Sequence, residues 1–137
     1  MIIPRIKIAH LPTPVEWLPN ITALLNGPNI LIKRDDLTGI GFGGNKIRKL
    51  ECLLADAQAN GAQMLITTGA LQSNHCRQTA AVAAKYGLKC RLVLAGEEPQ
   101  QPSGNYLLDL LMGAEVTWTT RAERDATLKS TFDQAWT

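Results

Sequence analysis

Three evenly spaced glycines constrain the fold of this chain more than any other feature. Gly61, Gly87 and Gly113 stand 26 residues apart, and each lies between a segment of helical periodicity and a short strand-like run. Glycine at such a position ends a helix in the left-handed conformation. A repeated strand and helix is typical of parallel sheets, because parallel strands need a crossover connection. The pattern predicts an α/β fold: a parallel sheet of βα units flanked by helices.

The spacing of apolar residues assigns the individual elements. The first 28 residues contain five prolines, which favours an irregular N-terminal arm with only a short helix around 20–25. A strand over 29–33 follows the arm. The remaining predicted elements are helices over 46–60, 75–86, 105–112 and from 121 onward, and strands over 64–68, 91–95 and 115–119.

Composition excludes several classes of protein. Fourteen basic and twelve acidic side chains leave a net charge of +2, which is too small and scattered to predict a nucleic-acid or membrane partner. No stretch approaches the roughly 18 apolar residues of a membrane span, and the N-terminus carries no signal-peptide core. Three cysteines without a CxxC motif predict neither a disulfide framework nor a metal site. A cytoplasmic location is favoured.

The glycine-rich segment 39–45 matches the GxGxxG pattern but fits nucleotide binding poorly. A dinucleotide site needs an acidic residue at the end of the next strand, and that strand ends in Thr67, Thr68 and Gly69. The segment also lacks the Lys and hydroxyl pair that follows the glycines of a phosphate-binding P-loop. Both nucleotide interpretations are therefore weak.

Positive charge at the start of the following helix needs an explanation. Lys46, Arg48 and Lys49 occupy the first turn, where the helix dipole makes each cation unfavourable by about 0.3–1 kcal/mol. With free backbone N–H groups and small glycines, these cations would make a receptor for phosphate or carboxylate. The alternative is a solvated basic face paired with nearby carboxylates. The candidate carboxylates are Asp35, Asp36 and Glu51.

A second polar loop, 67–75, joins a strand end to a helix start, which is where open α/β sheets bind ligands. Ser73 can act as an ordinary N-cap, but capping does not account for Gln72 as well. His75 alone does not indicate a base, and no Ser-His-Asp set can be recognised.

Taken together, these motifs resemble the pyridoxal-phosphate (PLP) enzymes of the D-cysteine desulfhydrase and 1-aminocyclopropane-1-carboxylate deaminase family, which have the fold type II architecture. The likeness spans nearly all of this chain and less than half of a family member. The motifs are KRDDLT at 33–38, GGNKIRKLE at 43–51 and QSNHCRQTAA at 72–81, supported by PTPVE at 12–16, GN at 104–105 and GAEV at 113–116.

The resemblance assigns a role to each candidate residue. It implies that Lys46 holds PLP as a Schiff base and later takes the α-proton of the substrate, and that Lys49 helps to hold the cofactor phosphate. Ser73 would be a catalytic hydroxyl over the cofactor that also contacts substrate. Asn74 would bind the 3′-oxygen of the pyridine ring and contact the substrate, and Gln72 would help to bind the substrate carboxylate.

The resemblance also implies a reaction on a small amino acid. For a D-cysteine desulfhydrase the products are pyruvate, hydrogen sulfide and ammonia, whereas a deaminase opens the cyclopropane ring and yields 2-oxobutanoate. His75 and Thr79 are more like the desulfhydrase pattern. Family members form homodimers, and none of the assigned roles needs a metal.

Length separates this chain from the family. The resemblance implies that residues 1–45 are an arm and strand of the large domain and that 46–137 form a truncated small α/β domain. Family members continue into a glycine-rich phosphate loop and a partner for the pyridine nitrogen. The chain is therefore expected to be a fragment of a gene product, a piece of an active enzyme or a domain completed by another chain. An inactive α/β fragment or anion-binding remnant stays an alternative.

Overall fold

The computed structural model describes residues 3–136, and two sheets are formed within them. Two short 3-10 turns, Asp35–Leu37 and Ile40–Phe42, fill the segment before the second helix. In chain order the elements are β1 (Val15–Trp17), α1 (Pro19–Leu25), β2 (Leu31–Lys33), α2 (Ile47–Ala59), β3 (Met64–Ala70), α3 (Asn74–Lys85), β4 (Lys89–Ala95), α4 (Gly104–Leu111), β5 (Glu115–Thr119) and α5 (Arg124–Trp136).

The three later strands form a parallel sheet in the order β3-β4-β5. Thr67 lies opposite Leu92, and Leu92 opposite Val116, so the three strands end at one edge. Because each parallel pair is joined by a helix, the carboxyl ends of the strands and the N-termini of the helices gather at that edge. The predicted fold class is confirmed.

The main core lies between this sheet and helices α3 and α4. Side chains of Cys90, Leu92 and Leu94 alternate along β4 and are all buried on this face. They meet Ala80 and Ala83, whose small side chains let α3 approach the sheet closely. Each buried leucine contributes about 1.5–3 kcal/mol relative to an exposed one, so this layer holds the ends of the strands in place.

A second core ties the N-terminal arm to α2. Ile8 is buried against Leu50 and Leu54 of that helix. Glu51 accepts the backbone N–H groups of Ile8 (2.8 Å) and Ala9 (3.0 Å). Burial alone would raise the pKa of Glu51, but these two N–H groups and the Arg5 guanidinium outweigh burial and hold that pKa below its usual value. An ionised Glu51 therefore anchors the arm.

The structure differs from the sequence prediction mainly at element ends and in the arm. The strand predicted over 64–68 continues to Ala70, and the last helix begins at Arg124 instead of 121. The sequence pattern missed β1, which pairs antiparallel with β2. Only three residues long and lying between Pro14 and Pro19, β1 carries no detectable periodicity. Within residues 3–136 no helix is long and apolar enough to span a bilayer.

Candidate active site

The glycine loop before α2 is fixed by its backbone and by a buried threonine. Gly43 has a φ of +70°, and a Cβ atom there would lie 1.8 Å from the carbonyl oxygen of Asp36, so a larger residue does not fit. The Thr38 hydroxyl accepts the Gly44 N–H and donates to the Gly44 carbonyl oxygen, both at 2.9 Å. Lys46 follows at the N-cap position of α2. The loop thus presents a half-buried Lys46 at a helix start.

The carboxylates near the start of α2 are bound by arginines. No hydrogen bond or ion pair is found for the Lys46 or Lys49 ammonium among residues 3–136. Hydrogen bonds from Arg48 and then from Thr13 lower the pKa of Asp35 to about 2. This carboxylate is therefore ionised at neutral pH, with Arg48 and Thr13 as its partners. The sequence offered the alternative that the cations at the start of α2 pair with nearby carboxylates. Among Lys46, Arg48 and Lys49, only Arg48 does so within residues 3–136. The pairs are Arg48 with Asp35, Arg34 with Asp36 and Arg5 with Glu51.

Ser73 forms the N-cap of α3. Its backbone is extended, and its Oγ accepts the Cys76 N–H at 3.3 Å. A Cβ atom on Gly69 would lie 2.7 Å from that Oγ, so the end of β3 passes directly beneath the hydroxyl because Gly69 has no side chain. Capping uses an acceptor lone pair of the Ser73 hydroxyl.

Direct contacts join the glycine loop to the start of α3. The Asn74 amide donates to Asn45 Oδ1 at 3.4 Å. The Gly43 carbonyl oxygen accepts from Arg77 Nη2 at 2.9 Å and from Gln78 Nε2 at 2.5 Å. We call residues 38–46 and 69–78 the junction. The two motifs that the sequence singled out for chemistry therefore form one site, in which Lys46 follows directly after a residue that contacts Asn74.

His75 lies beside the two unpaired lysines. Burial first, and then the charges of Lys49 and Lys46, lower the pKa of His75, so the ring is neutral at pH 7. Its Nε2 is 3.0 Å from Thr67 Oγ1. The ring also borders a cleft of about 410 Å³ between α2, β3 and α3. The sequence alone did not indicate a functional role for His75, whereas the structure places it in the junction, in contact with Thr67.

Gln72 is held against the start of α4 and does not contact the glycine loop. Its Oε1 accepts the Asn105 N–H at 2.7 Å, and its Nε2 donates to the Ser103 carbonyl oxygen at 3.1 Å. The side chain therefore serves as a link between two helix N-termini. Its predicted role toward a substrate carboxylate stays a prediction.

Sequence reasoning missed the two side chains that hold the loop, Arg77 and Gln78. Gln78 is fully buried, and it follows Asn74 by one helical turn, so both side chains lie on one face of α3. The clue available in the sequence was a glutamine that precedes the alanine-rich part of the helix. The partner atom, a backbone carbonyl oxygen 35 residues away, could not be found from helix periodicity.

The residues of the junction fit PLP by their chemistry. Lys46 in the junction and Lys49 one turn further along α2 have no carboxylate partner within residues 3–136, so they offer an amine and a positive charge. Ser73 and Asn74 offer a hydroxyl and an amide at the start of α3. Glycine backbone in the loop lets a ligand approach closely. The fold and this site define an α/β domain that presents a lysine amine at an anion-attracting helix start.

Comparison with known proteins identifies the family. The family profile described as "Pyridoxal-phosphate dependent enzyme" matches residues 6–135. A Pyrococcus horikoshii protein provisionally named 1-aminocyclopropane-1-carboxylate deaminase is 53% identical over 113 residues. The D-cysteine desulfhydrase of Klebsiella pneumoniae is 52% identical over 118 residues. Each alignment covers 82% of this chain, but only 34% of the first relative and 36% of the second.

Solved structures agree with the sequence relatives. A crystal structure described as an ACC deaminase homologue superposes with a TM-score of 0.84 at 45% identity, covering 95% of this chain and 39% of that one. A PLP-dependent aspartate racemase, at 23% identity and a TM-score of 0.66, shares the fold. The chain spans about a third of the length of the relatives it matches.

This chain belongs to the pyridoxal-phosphate dependent enzyme family. The resemblance stated from the motifs is confirmed, and PLP is confirmed as the cofactor of the family. The individual roles of Lys46, Lys49 and residues 72–74 stay predictions, as does the division at residues 45 and 46.

Proposed function

We propose that this chain supplies the lysine-bearing half of a PLP-dependent lyase site with D-cysteine desulfhydrase-like activity. The observation that carries the proposal is the contact between the loop ending at Lys46 and the start of α3 at Asn74. A lysine amine at the start of α2, and a hydroxyl and an amide at the start of α3, are the groups needed to bind an aldehyde and a phosphate. The complete site would need the remaining two thirds of the length found in the relatives.

In this proposal Lys46 has two tasks. Its Nζ would hold the cofactor through the aldehyde, and the same amine would accept the α-proton of the substrate. Asn74 orients the cofactor through its 3′-oxygen, and Lys49 contributes positive charge to the phosphate. Bound PLP supplies an electron sink for the electrons left at the α-carbon. Ser73 holds or moves a proton at its Oγ, above the end of β3.

The proposed net reaction converts D-cysteine and water into pyruvate, hydrogen sulfide and ammonia. His75 and Thr79 support the desulfhydrase choice, because the deaminase pattern favours Gln and Val at these positions. Thr79 is buried and its hydroxyl donates to the His75 carbonyl oxygen at 2.8 Å, so the two side chains belong to one local arrangement. The alternative is a deaminase of 1-aminocyclopropane-1-carboxylate that yields 2-oxobutanoate and ammonia.

Cellular setting and assembly form part of the same proposal. Cys52, Cys76 and Cys90 are free thiols, which fits a reducing compartment such as the cytoplasm. Homodimers are proposed from the family resemblance, with a small amino acid as the substrate.

Cofactor capture by the purified chain tests the proposal. PLP should give an absorbance band near the edge of the visible range that Lys46→Ala abolishes, whereas Lys85→Ala, at the exposed end of α3, should retain it. A band that persists in Lys46→Ala would defeat the assignment. Absence of a band in the unaltered chain, with retained binding of inorganic phosphate, would favour the anion-binding remnant.

Substrate choice is tested separately, on the chain extended to the length of its relatives. Sulfide and pyruvate released from D-cysteine would support the desulfhydrase. Release of 2-oxobutanoate from 1-aminocyclopropane-1-carboxylate, with no sulfide from D-cysteine, would establish the deaminase alternative.

A further inference from the structure

The peptide group that joins Gln72 to Ser73 is held at both of its ends. Its N–H, which belongs to Ser73, donates to the Ala70 carbonyl oxygen at 2.9 Å. Its carbonyl oxygen, which belongs to Gln72, accepts from the Asn105 side-chain Nδ2 at 2.8 Å. A planar peptide group bonded in this way cannot turn without breaking one of the two bonds. Together they fix the direction in which the backbone enters Ser73.

The Gln72 side chain makes the contact with α4 reciprocal. Its Oε1 accepts the Asn105 N–H at 2.7 Å, and its Nε2 donates to the Ser103 carbonyl oxygen at 3.1 Å. Ser103 is the N-cap residue of α4, but its side chain caps no N–H group within residues 3–136. Gln72 instead accepts an N–H of the first helical turn, a task usual for an N-cap side chain. We call these three hydrogen bonds between Gln72 and residues 103–105 the clamp.

Gly104 lets the clamp close. Its backbone has a φ of +56°, and a Cβ atom on it would lie 2.5 Å from Gln72 Oε1. Any residue with a side chain would therefore push the glutamine amide away from the Asn105 N–H. The backbone at the start of α4 is thus shaped to admit Gln72.

Stability of the fold does not by itself account for the clamp. Gln72 is exposed and Asn105 is half-buried, and hydrogen bonds at the surface add little net stability because water forms equivalent bonds in their absence. Helices α3 and α4 are already joined by a buried apolar core to which Ala83 and Tyr106 belong. What the clamp adds is a fixed direction for the peptide group directly before Ser73.

We propose that Gln72 and Asn105 are positioning residues that act through the backbone on Ser73 and so set the place of its hydroxyl in the junction. The Ser73 Oγ is oriented in turn by the Cys76 N–H that it accepts. This task differs from the predicted binding of a substrate carboxylate, since both polar atoms of the Gln72 amide bond to the start of α4. The importance of Ser73 for catalysis rests on the proposed function, whereas the clamp is a property of this chain.

Amide hydrogen exchange of the cofactor-free 137-residue chain, followed by NMR, tests the clamp through Asn105→Asp. The substitution keeps the shape of the side chain but replaces the donor to the Gln72 carbonyl by an oxygen. It also puts a carboxylate in the first turn of α4, where the helix dipole favours it. The Ser73 and Cys76 amides should exchange roughly threefold to tenfold faster, as expected for loss of one hydrogen bond, while the urea midpoint does not fall. Unchanged exchange, or an acceleration spread over all strands, would overturn the proposal.

A matched control and a conservative pair sharpen this test. Asn60 Nδ2 also donates to a backbone carbonyl oxygen at 2.8 Å, but it lies at the end of α2, so Asn60→Asp should leave both amides unchanged. Gln72→Ala should accelerate the same two amides, whereas Gln72→Glu, which keeps an acceptor for the Asn105 N–H, should restore most of the protection. Equal acceleration in Gln72→Ala and Gln72→Glu would contradict the clamp. This pair carries the test alone if Asn105→Asp does not fold.

Activity on D-cysteine separates positioning from mere support of α4. In the chain extended to the length of its relatives, Asn105→Asp should lower kcat by roughly tenfold or more and change KM little, because misplacement of a reacting group acts on the transition state. An unchanged kcat would overturn the positioning role. An extended chain that is inactive before any substitution would count against the proposed function alone. The exchange measurements contain no PLP, so they would still decide the clamp.

Discussion

The junction and the hairpin segment, residues 15–33, are built in opposite ways. In the junction, Thr38 and Gln78 are fully buried, and polar atoms find partners across 34 or 35 residues of chain. In the hairpin segment, Trp17, Leu24 and Leu31 are 57%, 82% and 60% exposed. The site is therefore held by contacts within this chain, whereas the hairpin segment displays apolar surface of the kind that marks an interface.

The exposed apolar side chains of the hairpin segment fit the predicted assignment of residues 1–45 to a larger domain, whereas the junction spans the predicted boundary at residues 45 and 46. If residues 1–45 belong to a larger domain, the exposed apolar side chains of the hairpin segment would be covered by that domain. The junction would need no such cover to keep its geometry. The division is a prediction, and truncating side chains in each region is the most direct way to examine it.

The largest expected contrast comes from removing one apolar side chain directly after the glycine loop of the junction and one in the hairpin segment. Ile47→Ala leaves a cavity under the start of α2 and should lower the free energy of unfolding by about 2–5 kcal/mol. Leu31→Ala removes an exposed side chain and should change it by less than about 0.5 kcal/mol. Urea unfolding followed by circular dichroism measures both. Equal losses would show that the hairpin segment is packed as tightly as the junction.

Two glycines separate the effect of steric overlap from that of backbone strain, because their φ angles match while their surroundings differ. Gly43 and Gly61 have φ of +70° and +68°, but only at Gly43 would a Cβ atom overlap the backbone. Gly61→Ala should lower the free energy of unfolding by about 1 kcal/mol, from conformational strain alone. Gly43→Ala adds steric overlap and should lower it by about 3 kcal/mol or displace the loop. Similar losses at both positions would show that the loop is not tightly held.

The anchor of the arm gives a smaller, pH-dependent effect. The pKa of Glu51 is lower when folded, so its contribution to stability is present above the unfolded pKa and is lost as pH falls through the folded value. Glu51→Gln should lower the free energy of unfolding by about 1–3 kcal/mol at pH 7 and flatten the acid side of the stability profile. Glu115→Gln, at an exposed ion pair with Arg91, is the control. An unchanged acid profile in Glu51→Gln would contradict the anchoring role.

The sequence predicted those helices and strands that are long enough for their apolar residues to recur at regular spacing. The strands of the parallel sheet and helices α2 and α3 were located to within about two residues, because their apolar positions recur. Strand β1 has no period to read, since it lies in a proline-rich arm. The N-cap role, which the sequence offered as the alternative to a catalytic role for Ser73, is observed and was visible because capping is a local interaction.

Long-range contacts account for what could not be predicted in the site. Arg77 and Gln78 donate hydrogen bonds to the Gly43 carbonyl oxygen across 34 and 35 residues of chain. Helix periodicity places these side chains on a face, but it does not name the partner. The positive charge at the start of α2 was visible in the sequence. Only the fold shows that the nearby carboxylates pair with arginines and leave the ammonium groups of Lys46 and Lys49 without a carboxylate partner within residues 3–136.

We propose that the junction makes the amine of Lys46 the point of attachment for PLP. Incubation of the chain with PLP, reduction with borohydride and mapping of the modified peptide by mass spectrometry measures this directly. We expect the stable adduct to be found on Lys46. An adduct spread over exposed lysines such as Lys85 and Lys89, with Lys46 unmodified, would contradict it.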